Sequence, residues 1–87
     1  PAFGLALAPA KEGGGVLVTD VDPSGIGAEK GIAKGDIIFE VAGKSVMKPS
    51  DVRAAIDDAK KEGRKAVVLR IKGEEGMRFV ALAFPKG

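Results

Sequence analysis

Short apolar runs separated by glycine-rich polar segments make up most of this sequence. The runs richest in valine, isoleucine and other strand-forming residues are 16–21, 37–41, 66–71 and 78–84. Such residues favour strands because they pack well on a pleated surface. Another run, 3–8, ends at Pro9, which cannot donate a hydrogen bond to a sheet. The pattern predicts a domain that is built mainly from short strands.

One segment follows a helical period instead. Its apolar residues recur every three or four positions, as on one face of a helix, and they are Val52, Ala55, Ile56 and Ala59. Ser50 is a candidate N-cap for this helix, which would end near Gly63. A shorter helical turn is expected at 27–31.

The elements then follow the order β-β-α-β-β-α-β-β. We expect a mainly β fold with α-helices, in the form of a small, partly open barrel or sandwich. Five to six strands would be capped by one long and one short helix. The 87 residues suffice for a single domain, 1–87. Since the sequence starts at Pro1 without a Met, we expect this domain to be excised from a longer protein.

The sequence favours neither a nucleic-acid partner nor a membrane span. The formal net charge is only +2, and acidic and basic residues alternate. The densest basic cluster, 60–65, is interrupted by Glu62 and is typical of the solvated end of a helix. No apolar run is long enough to span a membrane.

Residue types that several kinds of catalysis require are missing. The sequence contains no His and no Cys, which excludes Ser-His-Asp triads, histidine-ligated metals and thiol chemistry. Asp20 and Asp22 could flank a metal ion, but they stand among turn-forming residues without an evident third oxygen ligand. The glycines at 13–15 precede a β-branched strand, not the helix of a phosphate-binding loop. We therefore expect no cofactor and favour a binding module over an enzyme.

A more specific signal lies at 31–46, which has the form G-I-x-x-G-D-x-I-x-x-V-x-G-x-x-V. This segment resembles the central signature of PDZ domains. The N-terminal sequence Phe3-Gly4-Leu5-Ala6 is similar to the carboxylate-binding loop of the same family. The resemblance implies a PDZ-like fold and a module that binds peptides.

The resemblance also implies where a peptide would bind. A glycine allows successive backbone N–H groups to converge on an anion, here the terminal carboxylate of the peptide. The strand that follows would pair with the peptide backbone. The implied binding residues are Phe3, Gly4, Leu5, Ala6 and Leu7 and, on the opposing helix, Val52, Ala55, Ile56 and Ala59. This helix face could equally serve only to cover the sheet. The histidine that many family members carry at the helix start is absent near Asp51.

The order of the elements is similar to one branch of the family. The presumed carboxylate loop is N-terminal and two strands follow the long helix, which resembles the permuted PDZ domains of bacterial HtrA/Deg (DegP-like) serine proteases. The resemblance implies a periplasmic parent endopeptidase whose catalytic domain lies upstream. Its implied partners are peptides, unfolded segments and neighbouring domains.

Two functions stay open at this point. In that family a first PDZ domain commonly captures C-termini for substrate recognition or regulation in protein quality control. A second PDZ domain more often contacts neighbouring protease or PDZ domains in oligomer assembly. The short N-terminal loop and the sequence of the long helix resemble second domains slightly more.

Overall fold

The computed structural model describes residues 2–10 and 13–84. Within those residues the chain forms six strands and two α-helices, after a short 3-10 turn at Ala2–Gly4. The strands are β1 (Leu5–Pro9), β2 (Val16–Val21), β3 (Ile37–Val41), β4 (Lys44–Ser45), β5 (Ala66–Gly73) and β6 (Gly76–Ala83). The helices are α1 (Ile26–Glu29) and α2 (Pro49–Lys61). The predicted order of strands and helices is confirmed.

All strand pairs are antiparallel and belong to one sheet. The strand order is β1-β2-β3-β5-β6, and the short β4 pairs with β3 beside this path. Among the described residues β1 and β6 lie at opposite ends of this order, so the sheet does not close into a barrel. The predicted partly open arrangement, with one long and one short helix, is confirmed.

The core is formed by alternate residues of the strands together with one face of α2. Along β5 the inward residues Val67, Leu69 and Ile71 are buried and the residues between them are exposed. Ile38 and Val41 of β3 are completely buried. Burial of this alternating set is what fixes the register, because a slip of one residue would turn every apolar side chain outward.

The start of α2 differs from the expectation. Ser50 is not the N-cap; the helix begins at Pro49, and Lys48 occupies the N-cap position without a side-chain bond. Proline suits the first helical position because its fixed φ is already helical and it lacks the N–H that would be unpaired there. The Asp51 carboxylate instead accepts a hydrogen bond of 2.9 Å from the Met47 amide, which stabilises the entry to the helix.

A buried carboxylate links the loop before β3 to β6. Asp36 is 6% exposed. Its Oδ2 accepts hydrogen bonds from the Ala33 amide at 3.0 Å and from Arg78 Nη2 at 3.2 Å. The same Nη2 donates to the carbonyl of Gly31 at 2.9 Å. A Cβ at Gly73 would lie 2.6 Å from Arg78 Nη1, so a glycine there leaves room for the guanidinium.

We expect the Asp36→Ala variant to lose about 2–3 kcal/mol of unfolding free energy, because it leaves a half-buried guanidinium and an amide without their acceptor. Urea denaturation measures this loss. The matched control is Glu40→Ala, which removes the partner of Arg70 from a more exposed pair and should cost about 0–1 kcal/mol. Equal losses in the two variants would contradict the role given to the buried pair.

Candidate functional site

The segment before β1 has an unusual backbone conformation. Phe3 has φ of 55° and Gly4 has φ of 74°. Both values lie in the left-handed region, which a side chain such as that of Phe3 seldom adopts. A non-glycine residue held there is a feature of functional sites, since the surrounding structure must stabilise it. Consecutive backbone N–H groups in such turns can form a concave nest for an anion.

This loop is held from behind by α1 and the turn that precedes it. The Asp22 amide donates a 2.7 Å hydrogen bond to the carbonyl of Gly4. A Cβ on Gly4 would lie 3.1 Å from Asp22 Cβ and 3.2 Å from Gly25 Cα. A Cβ on Gly25 would lie 3.0 Å from the Phe3 carbonyl oxygen. Both glycines are therefore needed for two backbone segments to pack this closely.

The candidate groove is the space between the free edge of β1 and helix α2. Within the described residues the only strand partner of β1 is β2, so the opposite edge of β1 has no strand beside it. Helix α2 contacts β1. At the start of the helix, Met47 contacts the β1–β2 loop, since its Sδ and Cε would lie 3.2 Å from a Cβ on Gly14.

The other end of the groove is formed by an aromatic pair. The rings of Phe3 and Phe84 stack with centroids 5.8 Å apart and an interplanar angle of 25°. Lys60 Nζ lies 5.4 Å from the centre of the Phe84 ring, within the range of a cation–π interaction. The last turn of α2 thus lies beside the loop of Phe3, so α2 runs antiparallel to β1.

An ion pair fixes the opposite side of α2. Lys44 Nζ donates to Asp58 Oδ2 at 2.9 Å. This hydrogen bond and the attraction between the charges raise the pKa of Lys44 and lower the pKa of Asp58. The pair connects α2 to β4 at the solvent surface, so one flank of the helix faces the β3–β4 hairpin and the other faces β1.

The structure brings the two predicted halves of the site together. Leu5 is buried, and Ala6 and Leu7 are half-buried in β1, next to the loop formed by Phe3 and Gly4. The four predicted helix residues are 2–5% exposed, and they are Val52, Ala55, Ile56 and Ala59. All four contribute to the core.

Helical spacing distinguishes the four helix residues from one another. Residues three or four positions apart lie on the same side of a helix. Ile56 precedes Lys60 by four positions and so lies toward the flank that faces the loop. Ala55 precedes Asp58 by three positions and lies toward the β3–β4 hairpin. Of these two residues, Ile56 is therefore better placed to line the groove.

Sequence reasoning missed Phe84, Lys60 and Arg53 as residues of this region. Phe84 gave no signal, because only folding brings it from the far end of the chain to Phe3. Lys60 and Arg53 could have been found from their spacing of four and three residues from Ile56.

Among the residues that the structure describes, no group of three acidic residues could hold a metal ion. In the same residues no helix is long and apolar enough to cross a membrane.

Comparison with known proteins gave matches at the level of both sequence and fold. The PDZ domain family matches residues 17–71. The chain is 49% identical over 80 residues to a probable periplasmic serine endoprotease DegP-like of Bartonella henselae, and 44% identical over 81 residues to that of Brucella suis. These alignments cover 92% and 93% of this chain but only 16% of each relative. The chain thus spans about a sixth of the length of these curated relatives.

Two solved structures have a similar fold at low sequence identity. The HtrA3 PDZ domain bound to a phage-derived ligand (FGRWV) has a TM-score of 0.78 and 19% identity, covering 93% of this chain and 81% of that one. The HtrA-type protease AlgW with a decapeptide has a TM-score of 0.72 and 15% identity, covering 93% of this chain and 27% of that one. These likenesses support the fold described above.

We expect Gly4→Ala to destabilise the domain by about 2–4 kcal/mol, because it adds a steric clash to the cost of a left-handed alanine. The control is Gly63→Ala. Gly63 has φ of 78°, but nothing lies within 4 Å of an added Cβ, so only the backbone cost of about 1–2 kcal/mol should remain. Urea denaturation compares the two. If Gly4→Ala and Gly63→Ala lose the same unfolding free energy, the contact of Gly4 with Asp22 and Gly25 is not tight.

Proposed function

This chain belongs to the PDZ domain family, and from this we propose that it is a non-catalytic module that binds carboxyl-terminal or extended apolar peptide segments. The peptide adds as a strand to the free edge of β1. Main-chain hydrogen bonds then supply affinity, and side-chain contacts with α2 supply specificity. Since ordering a flexible peptide offsets much of the gross interaction energy, we expect micromolar affinity.

The observation that carries this proposal is the left-handed pair Phe3 and Gly4 placed directly before an edge strand. The pair can direct amides at a carboxylate, and the edge offers pairing to the residues that precede that carboxylate in a ligand. In this proposal Phe3, Gly4 and Leu5 bind the terminus, while Ala6 and Leu7 pair with the peptide backbone. On the helix side, Ile56 and Val52 line the groove. The small side chains of Ala55 and Ala59 leave room there for an apolar side chain of the peptide.

We propose further that residues 1–87 form one domain of a bacterial HtrA/Deg-like serine endopeptidase of the periplasm. The support is the identity of 44–49% to proteins named as probable periplasmic serine endoproteases. Such a parent would use this domain to recognise or regulate substrates in protein quality control, with the peptide bond cleaved elsewhere in the chain.

A second function is favoured by the outer face of β5 and β6. This face exposes Val68, Met77 and Phe79, the last with 72% of its surface. Val68 and Phe79 also line a depression of about 330 Å³. Exposed apolar groups of this kind mark interaction surfaces when they are grouped. The alternative proposal is thus an assembly module that contacts neighbouring protease or PDZ domains through this face.

The test of peptide binding is a fluorescence titration with octapeptides that end in valine, each made with a free and an amidated carboxyl terminus. We expect the amide to bind at least tenfold more weakly, because it cannot offer an anion to the loop. A strand-adding peptide should also perturb the amide resonances of β1 in NMR spectra. Equal affinity of the two forms would refute carboxylate binding at this loop.

The test of assembly is the variant Phe79→Ser in a longer chain that carries this domain beside a protease domain. If the β5–β6 face joins neighbouring domains, sedimentation velocity will show smaller oligomers, since the largest exposed apolar side chain of this face is lost. The control is Met47→Ser, which removes an exposed apolar side chain outside that face. An unchanged distribution for Phe79→Ser would refute the alternative.

A further inference from the structure

The basic side chains of this domain differ in whether they form ion pairs with carboxylates. Of the four arginines in the sequence, three form ion pairs with carboxylates: Arg64 with Glu62, Arg70 with Glu40 and Arg78 with Asp36. Arg53 forms no ion pair with any carboxylate in residues 2–10 and 13–84. Lys60 also forms no ion pair within those residues; its Nζ lies over the Phe84 ring instead.

These two cations lie on the same flank of α2. Arg53 precedes Ile56 by three positions, and Lys60 follows it by four, so all three share one side of the helix. This is the flank opposite the Lys44–Asp58 ion pair. It therefore faces β1 and the groove. Both cationic side chains are exposed above the buried Ile56.

Their spacing matches an extended peptide. Seven helical residues span about 10.5 Å at a rise of 1.5 Å each. A strand covers the same length in about three residues. Because α2 runs antiparallel to β1, Lys60 lies at the loop end of the groove and Arg53 lies farther along it. A peptide anchored at the loop would pass both.

Helix stability does not explain the position of Arg53. Cations favour the last turn of a helix, where Lys60 and Lys61 both lie, but Arg53 stands in the first half of α2. Asp57 follows Arg53 by four positions, yet the two form no ion pair, and a base that precedes an acid at this spacing is the weaker arrangement. The guanidinium is thus free to accept an external carboxylate.

We propose that Arg53 and Lys60 make this groove selective for acidic carboxyl-terminal peptides, an inference that rests on the proposed peptide binding. Lys60, held over the Phe84 ring beside the loop, adds a positive charge near the terminal carboxylate. Arg53 binds an Asp or Glu side chain of the peptide two or four residues before that terminus, where side chains share the face of the terminal one. Arginine suits this role because its planar group pairs with a carboxylate through two donors.

The test uses fluorescein-labelled octapeptides that end in valine and carry Glu, Gln or Lys at two positions, two and four residues before the terminus. Side chains at these positions point to the same face of the peptide strand as the terminal side chain. We expect the Glu peptide to bind three- to tenfold more tightly than the Gln peptide, and the Lys peptide to be weakest. Added salt should reduce this preference.

Three variants separate the contributions. Arg53→Gln should abolish the preference for Glu over Gln. Lys60→Gln should weaken every free-acid peptide about threefold and leave the amidated forms unchanged. The matched control is Lys61→Gln, which removes the same charge from the next position, about 100° around the helix, and should alter neither affinity nor preference.

The outcomes distinguish this inference from the function on which it rests. If free-acid peptides bind more tightly than amides but Glu, Gln and Lys peptides bind equally, the charge selection is refuted and peptide binding stands. If Arg53→Gln and Lys61→Gln have the same effect, the preference is a general effect of net charge and the inference fails. If free acid and amide bind equally, carboxylate binding and the inference built on it both fail.

Discussion

The close packing of residues 3–4 against the first turn of α1 is the constraint on which the candidate site depends. Two backbone segments meet there so closely that a Cβ on Gly4 or Gly25 would lie only 3.0–3.2 Å from its neighbours. This contact, with the hydrogen bond from Asp22 to the Gly4 carbonyl, stabilises a left-handed Phe3. The loop conformation and the starting point of β1 are therefore set by an element outside the groove.

Helix α2 stabilises the core with one face, and in the proposed function it contacts the peptide with another. Its apolar face is almost fully buried and completes the core above the sheet. Its two flanks have different neighbours. On one flank Asp58 pairs with Lys44 of β4, and the other flank faces β1. A peptide in the groove would thus contact the edge of the apolar face and the charged flank. This division explains how one helix can cover a small core and still present a specific surface.

Phe84 joins parts of the site that are distant in the chain. Its ring contacts Phe3 from the loop and Lys60 from the end of α2. The aromatic pair lies where the loop of Phe3 meets the last turn of α2, so it would set the direction of a peptide bound as proposed. The stacking of these rings also brings the residue that follows β6 next to the N-terminal loop.

The sequence by itself determined the strands, the long helix and their order. Apolar residues alternate with polar ones along β5 and recur every three or four positions along α2. Both patterns depend only on local geometry, and each also predicts which face is buried. The motif of 31–46 was sufficient to indicate the family. Local rules were weaker at the ends of elements. Ser50 has the side chain of an N-cap, but the helix begins at Pro49, so the N-cap lies two residues earlier, at Lys48. The hydrogen bond from the Met47 amide to Asp51 stabilises this start.

Only the tertiary structure decided how the site is assembled. The stacking of Phe3 on Phe84 and the pairing of Asp36 with Arg78 join residues far apart in sequence. Helical spacing places Arg53 and Lys60 on one flank, but the element that this flank faces depends on the packing of α2 against β1. No periodicity encodes such contacts, since they depend on the sheet order and on the direction of α2 across β1. The physical reason is that local sequence fixes which face of an element is apolar, whereas packing against distant elements fixes what that face and its flanks meet.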